Sequence, residues 1–323
     1  MKLLTLLGSL GMAAAAHLAT PLAWADSYPS RAVRIIVPYG TGGSSDVLAR
    51  LIGARLQAMW GQGVVVENRT GASGSIGTET VVRSPPDGYT LMLQNSTMVI
   101  NPAVGGKLNY DPEKDLTPIM LLGQTPVALV SHPSTNIKSW KDLVDYSKSN
   151  PTALSYGSCG IGTTDLVMEL VKQKSGVNAT HVAYKGCAPA LNDVLGGQVP
   201  LALVSANMVV PHVTSGKLNG IGVSTAARYR PLPQTPSFEE QGLAPMNFSN
   251  WFALMGPAKM LPEVVARIYA DVHKVMSEPA IMKTLSGAGV ERYEGDGADL
   301  GKLIKSDLAR YVQVAKSANI KAE

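Results

Sequence analysis

The sequence predicts an α/β protein of two lobes facing one cleft, and three observations carry that expectation. Short apolar runs of strand length alternate with segments of helical spacing. One strand, loop and helix device rich in Gly, Ser and Thr occurs twice, once in each half of the chain. A chain of 323 residues also exceeds what one hydrophobic core ordinarily holds.

The first 25 residues are expected to stand outside that fold. Lys2 gives a positive start, an apolar run follows, and Ala23-Trp24-Ala25 has the small-x-small pattern of a signal-peptidase site. Cleavage after Ala25 places the mature chain, from Asp26, in the periplasm. His17, Thr20 and Pro21 interrupt the apolar run, which favours a removable signal over a membrane anchor. No Cys lies near the cleavage point, so a lipid anchor is not expected. No later segment reaches the roughly 18 apolar residues of a spanning helix.

Strands are expected at 33–37, 64–66, 90–93, 127–131, 153–156, 181–183, 201–204 and 220–224. After Asp46, Leu48, Leu51, Ile52 and Met59 share a helical face and Gly61 is a stop. Pro262 opens another helix, with Val265, Ile268, Tyr269, Val272 and Met276 as its stripe. This alternation argues for a mostly parallel sheet covered on both faces. The stretches 124–133 and 231–251 are candidates for the passage between lobes. Two passages make the first lobe discontinuous, 26–125 plus 246–323, with 126–245 as the second.

Composition narrows the function. The chain is 45% hydrophobic and 16% charged, as a globular protein is, and a net charge of +4 without a basic run argues against nucleic acid. Aromatic residues are too few for a base-stacking platform. The two cysteines, Cys159 and Cys187, flank glycines in expected loops of an exported chain. They are expected to pair, with two separate buried thiols as the alternative.

The chemistry lies in the repeated loops. Tyr39-Gly40-Thr41-Gly42-Gly43-Ser44-Ser45-Asp46 precedes a helix starting near Val47. Tyr156-Gly157-Ser158-Cys159-Gly160-Ile161-Gly162-Thr163-Thr164-Asp165 precedes another, whose apolar face is Leu166, Leu170 and Val171. First-turn N–H groups lack intrahelical partners and carry the positive end of the helix dipole, so such a loop suits an anion. Two of them facing one cleft make a pincer for a carboxylate-bearing solute. Asp46 and Asp165 are expected to cap first-turn amides, with a water-bridged solute contact open to Asp46. The segment 68–77, ahead of an expected helix at 78–82, is a third candidate loop.

Catalytic patterns are wanting. No Gly-Lys-Ser/Thr follows the glycines, and Gly71-Ala72-Ser73-Gly74 misses the G-x-S-x-G elbow by one place. His132, His181, His212 and His273 are scattered singly, giving no metal pair. Cys159 is better explained by a disulfide than as a nucleophile, and Lys185 by surface exposure or packing than as a Schiff base. No catalytic residue, metal or cofactor is expected.

At this level of detail the chain resembles the tripartite tricarboxylate transporter receptors, the Bug family. Pro38-Tyr39-Gly40-Thr41-Gly42-Gly43-Ser44-Ser45-Asp46, Val66-Glu67-Asn68-Arg69-Thr70-Gly71-Ala72 and Pro86-Asp87-Gly88-Tyr89-Thr90 carry the likeness in the first part. Tyr156-Gly157-Ser158-Cys159-Gly160, His181-Val182-Ala183-Tyr184-Lys185-Gly186, Gly196-Gly197-Gln198-Val199, Ser215-Gly216-Lys217-Leu218 and Trp251-Phe252-Ala253-Leu254 extend it over the mature chain. The resemblance implies a type II periplasmic-binding-protein fold, two Rossmann-like lobes joined by two crossing strands with a ligand cleft between. It implies a small organic carboxylate held by both loops, a two-subunit membrane permease as partner, and a monomer. Carried over by position, the ligand-facing residues are Tyr39, Thr41, Gly42, Gly43, Ser44 and Asp46, then Ser158, Cys159, Gly160, Gly162, Thr163 and Thr164, with Thr97 and Ser205 lining the walls.

The departures bear on specificity. Met98 stands where such receptors often carry His, Leu166 or its neighbour replaces a second His, and Pro200 and Val204 occupy places where Asp is usual. These substitutions suggest a less polar wall and a solute with an apolar or aromatic body. An extracytoplasmic sensing subunit, built on the same clamp, is the alternative to a transport receptor.

Overall fold

The structure, a computed structural model, describes residues 28–150, 154–159, 162–184, 186–287 and 289–318. The expected signal segment, Gly160 and Lys185 lie outside the described residues. In chain order the elements are β1 (Val33–Val37), α1 (Ser44–Trp60), β2 (Val64–Asn68), α2 (Ser75–Val82), β3 (Thr90–Asn95), α3 (Thr97–Ala103) and β4 (Leu116–Ser131). Then come α4 (Trp140–Ser149), β5 (Ser155–Ser158), α5 (Thr163–Ser175), β6 (Thr180–Ala183), α6 (Cys187–Leu195), β7 (Leu201–Ser205), α7 (Ala206–Thr214) and β8 (Asn219–Val223). The chain finishes with β9 (Ser249–Pro257), α8 (Pro262–Met276), α9 (Pro279–Gly287), β10 (Glu291–Asp296) and α10 (Gly297–Ala318).

The path β2-β1-β3-β9-β4-β7-β5-β6 runs through two lobes, and β4 is where they join. Its first part, Leu116–Pro126, pairs with β9 in one sheet, while Val127–Ser131 pairs with β7 and β8 in the other. The strand is buried almost throughout, and at Gln124-Thr125-Pro126 its pairing passes from one sheet toward the other without a break in the chain. The chain returns at Phe248, whose N–H still bonds Ser224 in the second lobe, before Ser249 pairs with Pro126.

The sheets are mixed rather than mostly parallel. β2-β1-β3 and β6-β5-β7 are parallel triplets, made possible by the helical crossovers that parallel neighbours require. The connecting strands β9 and β4 run antiparallel to their neighbours, because a chain that leaves one lobe and later returns meets itself in the opposite sense.

Helices cover both faces. In α1, Leu48, Ile52 and Leu56 form a buried stripe at four-residue spacing, while Leu51 and Met59 are half-buried at its margin. Each buried side chain contributes about 1.5–3 kcal/mol relative to exposure. Gly61 ends the helix in the left-handed conformation, its N–H returning to Gln57. In α8 the stripe is Val264, Ile268, Val272, Val275 and Met276. A further apolar cluster crosses between lobes, joining Met98 and Val99 of α3, Leu166, Val167 and Val171 of α5, and Leu300, Ile304, Tyr311 and Val314 of α10. The lobes therefore share packed side chains as well as strands.

Candidate functional site

The first loop leaves β1 and enters α1 at Ser44, three residues earlier than the sequence pattern suggested. That shift changes the role of Asp46. As the third helical residue it cannot cap; it reaches back, and its Oδ2 accepts from the Gly42 amide at 2.9 Å, ahead of the helix. Arg50 donates to both carboxylate oxygens, at 3.1 and 2.9 Å, and Asn68 Nδ2 donates to Oδ1 at 2.9 Å. Asp46 is 2% exposed. The Arg50 guanidinium first, then Gly42 and Asn68, hold its pKa down at about 2. Gly42 adopts φ +82°, a left-handed conformation that a side chain would strain.

Asn68 ties this loop to the third candidate segment. Its Nδ2 also donates to the Tyr39 carbonyl at 3.0 Å, and its Oδ1 accepts from Arg50 at 2.9 Å. The Tyr39 phenol donates to Gln94. Gln94, itself buried, accepts from the Asn95 amide at 2.8 Å and donates to Thr78 Oγ1 at 2.9 Å, and Thr78 donates to the Gly74 carbonyl. The segment 68–77 thus braces the first loop. Asn68 and Gln94 were missed as working residues. The signal available was Gln94-Asn95-Ser96-Thr97, a polar run closing an apolar strand at its C-terminal end, where open α/β sheets bind ligands.

With the brace behind them, Thr41, Gly42, Gly43 and Ser44 are exposed at the end of β1. Gly43 is the N-cap of α1 with no side-chain cap, so the helix start keeps uncapped first-turn amides, beside the exposed Thr41 and Ser44.

The second loop is held differently. Cys159 is bonded to Cys187, with Cα atoms 4.2 Å apart, which joins the end of β5 to the start of α6. The Gly186 amide bonds the Cys159 carbonyl at 3.1 Å, and the Cys159 amide bonds Thr164 Oγ1 at 3.4 Å. Gly162 is the N-cap of α5. Thr163 and Thr164 are buried, and Thr163 Oγ1 lies 3.5 Å from Ser96 Oγ of the first lobe.

Asp165 does not cap either. It is buried, and neither carboxylate oxygen has a hydrogen bond. Its Oδ1 lies 3.1 Å from His181 Nε2, and the same nitrogen is 2.7 Å from Ser158 Oγ. Ser, His and Asp are thereby brought together without forming a proton relay, which needs serine and carboxylate on opposite ring nitrogens. His181 also stacks on Tyr156, with ring centroids 5.0 Å apart.

Thr97 is half-buried as the first residue of α3, its amide on Asn95 Oδ1 at 2.9 Å. Ser205 is half-buried at the end of β7, its Oγ 3.8 Å from the Cys187 sulfur. Those of the sequence-derived residues that the structure describes therefore gather at the C-terminal ends of β1, β3, β5 and β7. The departures do not: Met98, Leu166 and Val204 are buried in hydrophobic cores, and Pro200 precedes β7 at its opposite end. An apolar side chain is most stable inside the core, so these four say nothing direct about the wall.

Among the described residues no helix is long and apolar enough to cross a membrane, and no group of three or more His, Cys, Asp or Glu could hold a metal ion. The site offers backbone amides and hydroxyls at two helix starts, which suits recognition of an anionic oxygen rather than bond-making.

Known proteins share this architecture. BugT from Bordetella pertussis is 30% identical over 325 residues, covering 99% of each chain. The structure of R. palustris Rpa4515 with adipate matches with a TM-score of 0.78 and 33% identity, covering 91% of this chain and 99% of that one. MatC from Rhodopseudomonas palustris, with bound malate, matches with a TM-score of 0.74 and 27% identity over 89% and 99% of the two chains. Residues 48–320 match the family described as tripartite tricarboxylate transporter family receptor. With the two-lobed fold and its facing loops, that match establishes that the chain belongs to the tripartite tricarboxylate transporter receptors, solute-binding proteins of the periplasm rather than enzymes.

Proposed function

We propose that the protein captures a small mono- or dicarboxylate between the loops 39–46 and 158–164 and delivers it, as a monomer, to a two-subunit membrane permease. The observation that carries this reading is the pairing of two Gly/Ser/Thr loops, each entering a helix N-terminus, on lobes that meet at Ser96 and Thr163. Adipate in Rpa4515 and malate in MatC support the solute class. An apolar solute body is part of the proposal. Its support is Val47, 48% exposed one turn beyond Ser44 on the same helix face.

In this reading the lobes comprise 26–125 plus 246–323 and 126–245, and a signal segment ending at Ala25 sends the chain to the periplasm. Thr41, Gly42, Gly43 and Ser44 meet one end of the solute. Ser158, Gly160, Gly162, Thr163 and Thr164 meet the other, with Tyr39, Thr97, Cys159 and Ser205 as walls. Asp46 orders the first loop from behind. Closure is favoured because only the closed form lets both loops touch the solute, and exclusion of water strengthens the charge-assisted bonds.

The test is a thermal-shift screen of aliphatic, amino and aromatic mono- and dicarboxylates. A solute at about 100 times its Kd stabilises by roughly 2.7 kcal/mol, and Ser44→Ala should diminish the shift. Silence from every acid, with folded protein free of bound solute, would refute the carboxylate reading.

A further inference from the structure

A cavity of about 410 Å³ lies where the segment after β8 meets α9 and the start of β10. That is within the range of pockets that hold small organic ligands. None of the sequence-derived site residues lines it. One wall is tightly built. The Tyr229 phenol donates to the Gly289 carbonyl at 2.8 Å, and Thr125 Oγ1 donates to the same oxygen at 3.4 Å. Gly289 takes φ +68°, and a Cβ on it would lie 1.8 Å from Asn207 Cβ, so the turn sits directly against α7.

The remaining walls are amphipathic. Leu285, Val290, Pro231 and Met282 supply apolar surface, and Met282 is 44% exposed. A methionine there adapts its shape to an aliphatic chain. Charge comes from Arg230, which lines the cavity and is exposed. Among the described residues every other arginine has an ion pair or a hydrogen bond. Its neighbour Arg228 donates to both oxygens of Glu240, and Arg292, also on the cavity wall, donates to Ser277. The Arg230 guanidinium has no such partner among the described residues. Glu291, half-buried on the same wall, feels the Arg230 charge, but burial dominates and pushes its pKa up. A second negative charge on a ligand would therefore meet a carboxyl group, whereas a single one can be met by Arg230.

We propose that this cavity is a second ligand site, taking a small aliphatic monoanion such as a short-chain monocarboxylate, with its head on Arg230 and its chain against Leu285, Val290 and Met282. Residues 229–231 belong to the second lobe and 282–292 to the first, so an occupant touches both. The site is separate from the carboxylate clamp and does not rest on that reading.

The probe is hexanoate, titrated into protein with isotope-labelled methionine methyl groups. The Met282 resonance, assigned by its loss in Met282→Leu, should move saturably. Acetate and hexanol each lack one half of the ligand and should leave it in place. Arg230→Ala should weaken hexanoate roughly tenfold by removing a charge-assisted contact. Glu291→Gln should tighten it by removing a like charge, with melting curves confirming that both variants are folded. A merely structural role for these residues would not give opposite signs. The proposal is overturned if hexanoate leaves Met282 unmoved, or if the two substitutions act in the same direction or not at all. A response at Met98, beside Thr97, with none at Met282 would place hexanoate at the clamp and equally overturn the second site. Silence in the solute screen at the clamp would leave the Met282 response as it is.

Discussion

The two loops do one job by opposite means. The first is held by charge: Asp46 gathers Gly42, Arg50 and Asn68, and Asn68 and Gln94 extend the brace through Tyr39 and Thr78. The second is held by a covalent bond and by burial, while its own first-turn carboxylate, Asp165, makes no hydrogen bond. The two aspartates occupy the third position of their helices, yet one is fully engaged and the other nearly alone. Position in a helix fixes where a carboxylate points; the neighbouring strand decides what it finds.

The largest effect expected from this contrast is on the disulfide. It closes a loop with a sequence separation of 28, so Cys159→Ala with Cys187→Ala should destabilise the protein by about 3.5 kcal/mol. Urea midpoints would show it, and an unchanged midpoint would mean burial alone holds the second loop. Asp46→Ala should cost about 2 kcal/mol at neutral pH by stranding the Gly42 amide and Asn68. The carboxylate pKa is lowered to about 2 in the folded chain from roughly 3.9 unfolded. Its stabilisation is therefore complete above about pH 4 and is lost as pH falls through about 2. The gap between wild type and variant should close over that interval; a constant gap would contradict the charge-held loop.

The smallest effect has the opposite sign. Asp165→Asn removes a buried charge without hydrogen bonds and should be neutral or stabilising by up to about 1 kcal/mol. If it instead destabilised the protein markedly, His181 at 3.1 Å would be acting as a true counter-ion, and the two aspartates would be alike after all.

How much of this was legible beforehand follows from physical range. β1 was readable to the residue because Val33, Ile35, Ile36 and Val37 are apolar and buried, with only Arg34 exposed among them, and Pro38 follows as a stop. The first part of β4 and all of β10 were not, since their pairing depends on partners far along the chain. In the site, the two loops and the cysteine pair could be found from residue type and spacing. The wall could not: Met98, Leu166 and Val204 were read as facing solute, and each is packed inside instead.

The sequence by itself determined the local chemistry: apolar runs that must pair, glycines where the backbone must turn, hydroxyls and amides at helix starts, and family membership through many ordered motifs. Those are properties of neighbours in the chain, set by sterics and hydrogen-bonding capacity within a few residues. Only the tertiary structure decided that Asn68 and Gln94 brace the first loop, that Asp165 is buried beside His181, and that Ser96 and Thr163 meet between lobes. These contacts join residues separated by tens or hundreds of positions. Their geometry is fixed by packing two lobes against shared strands and helix α10, which no local pattern encodes.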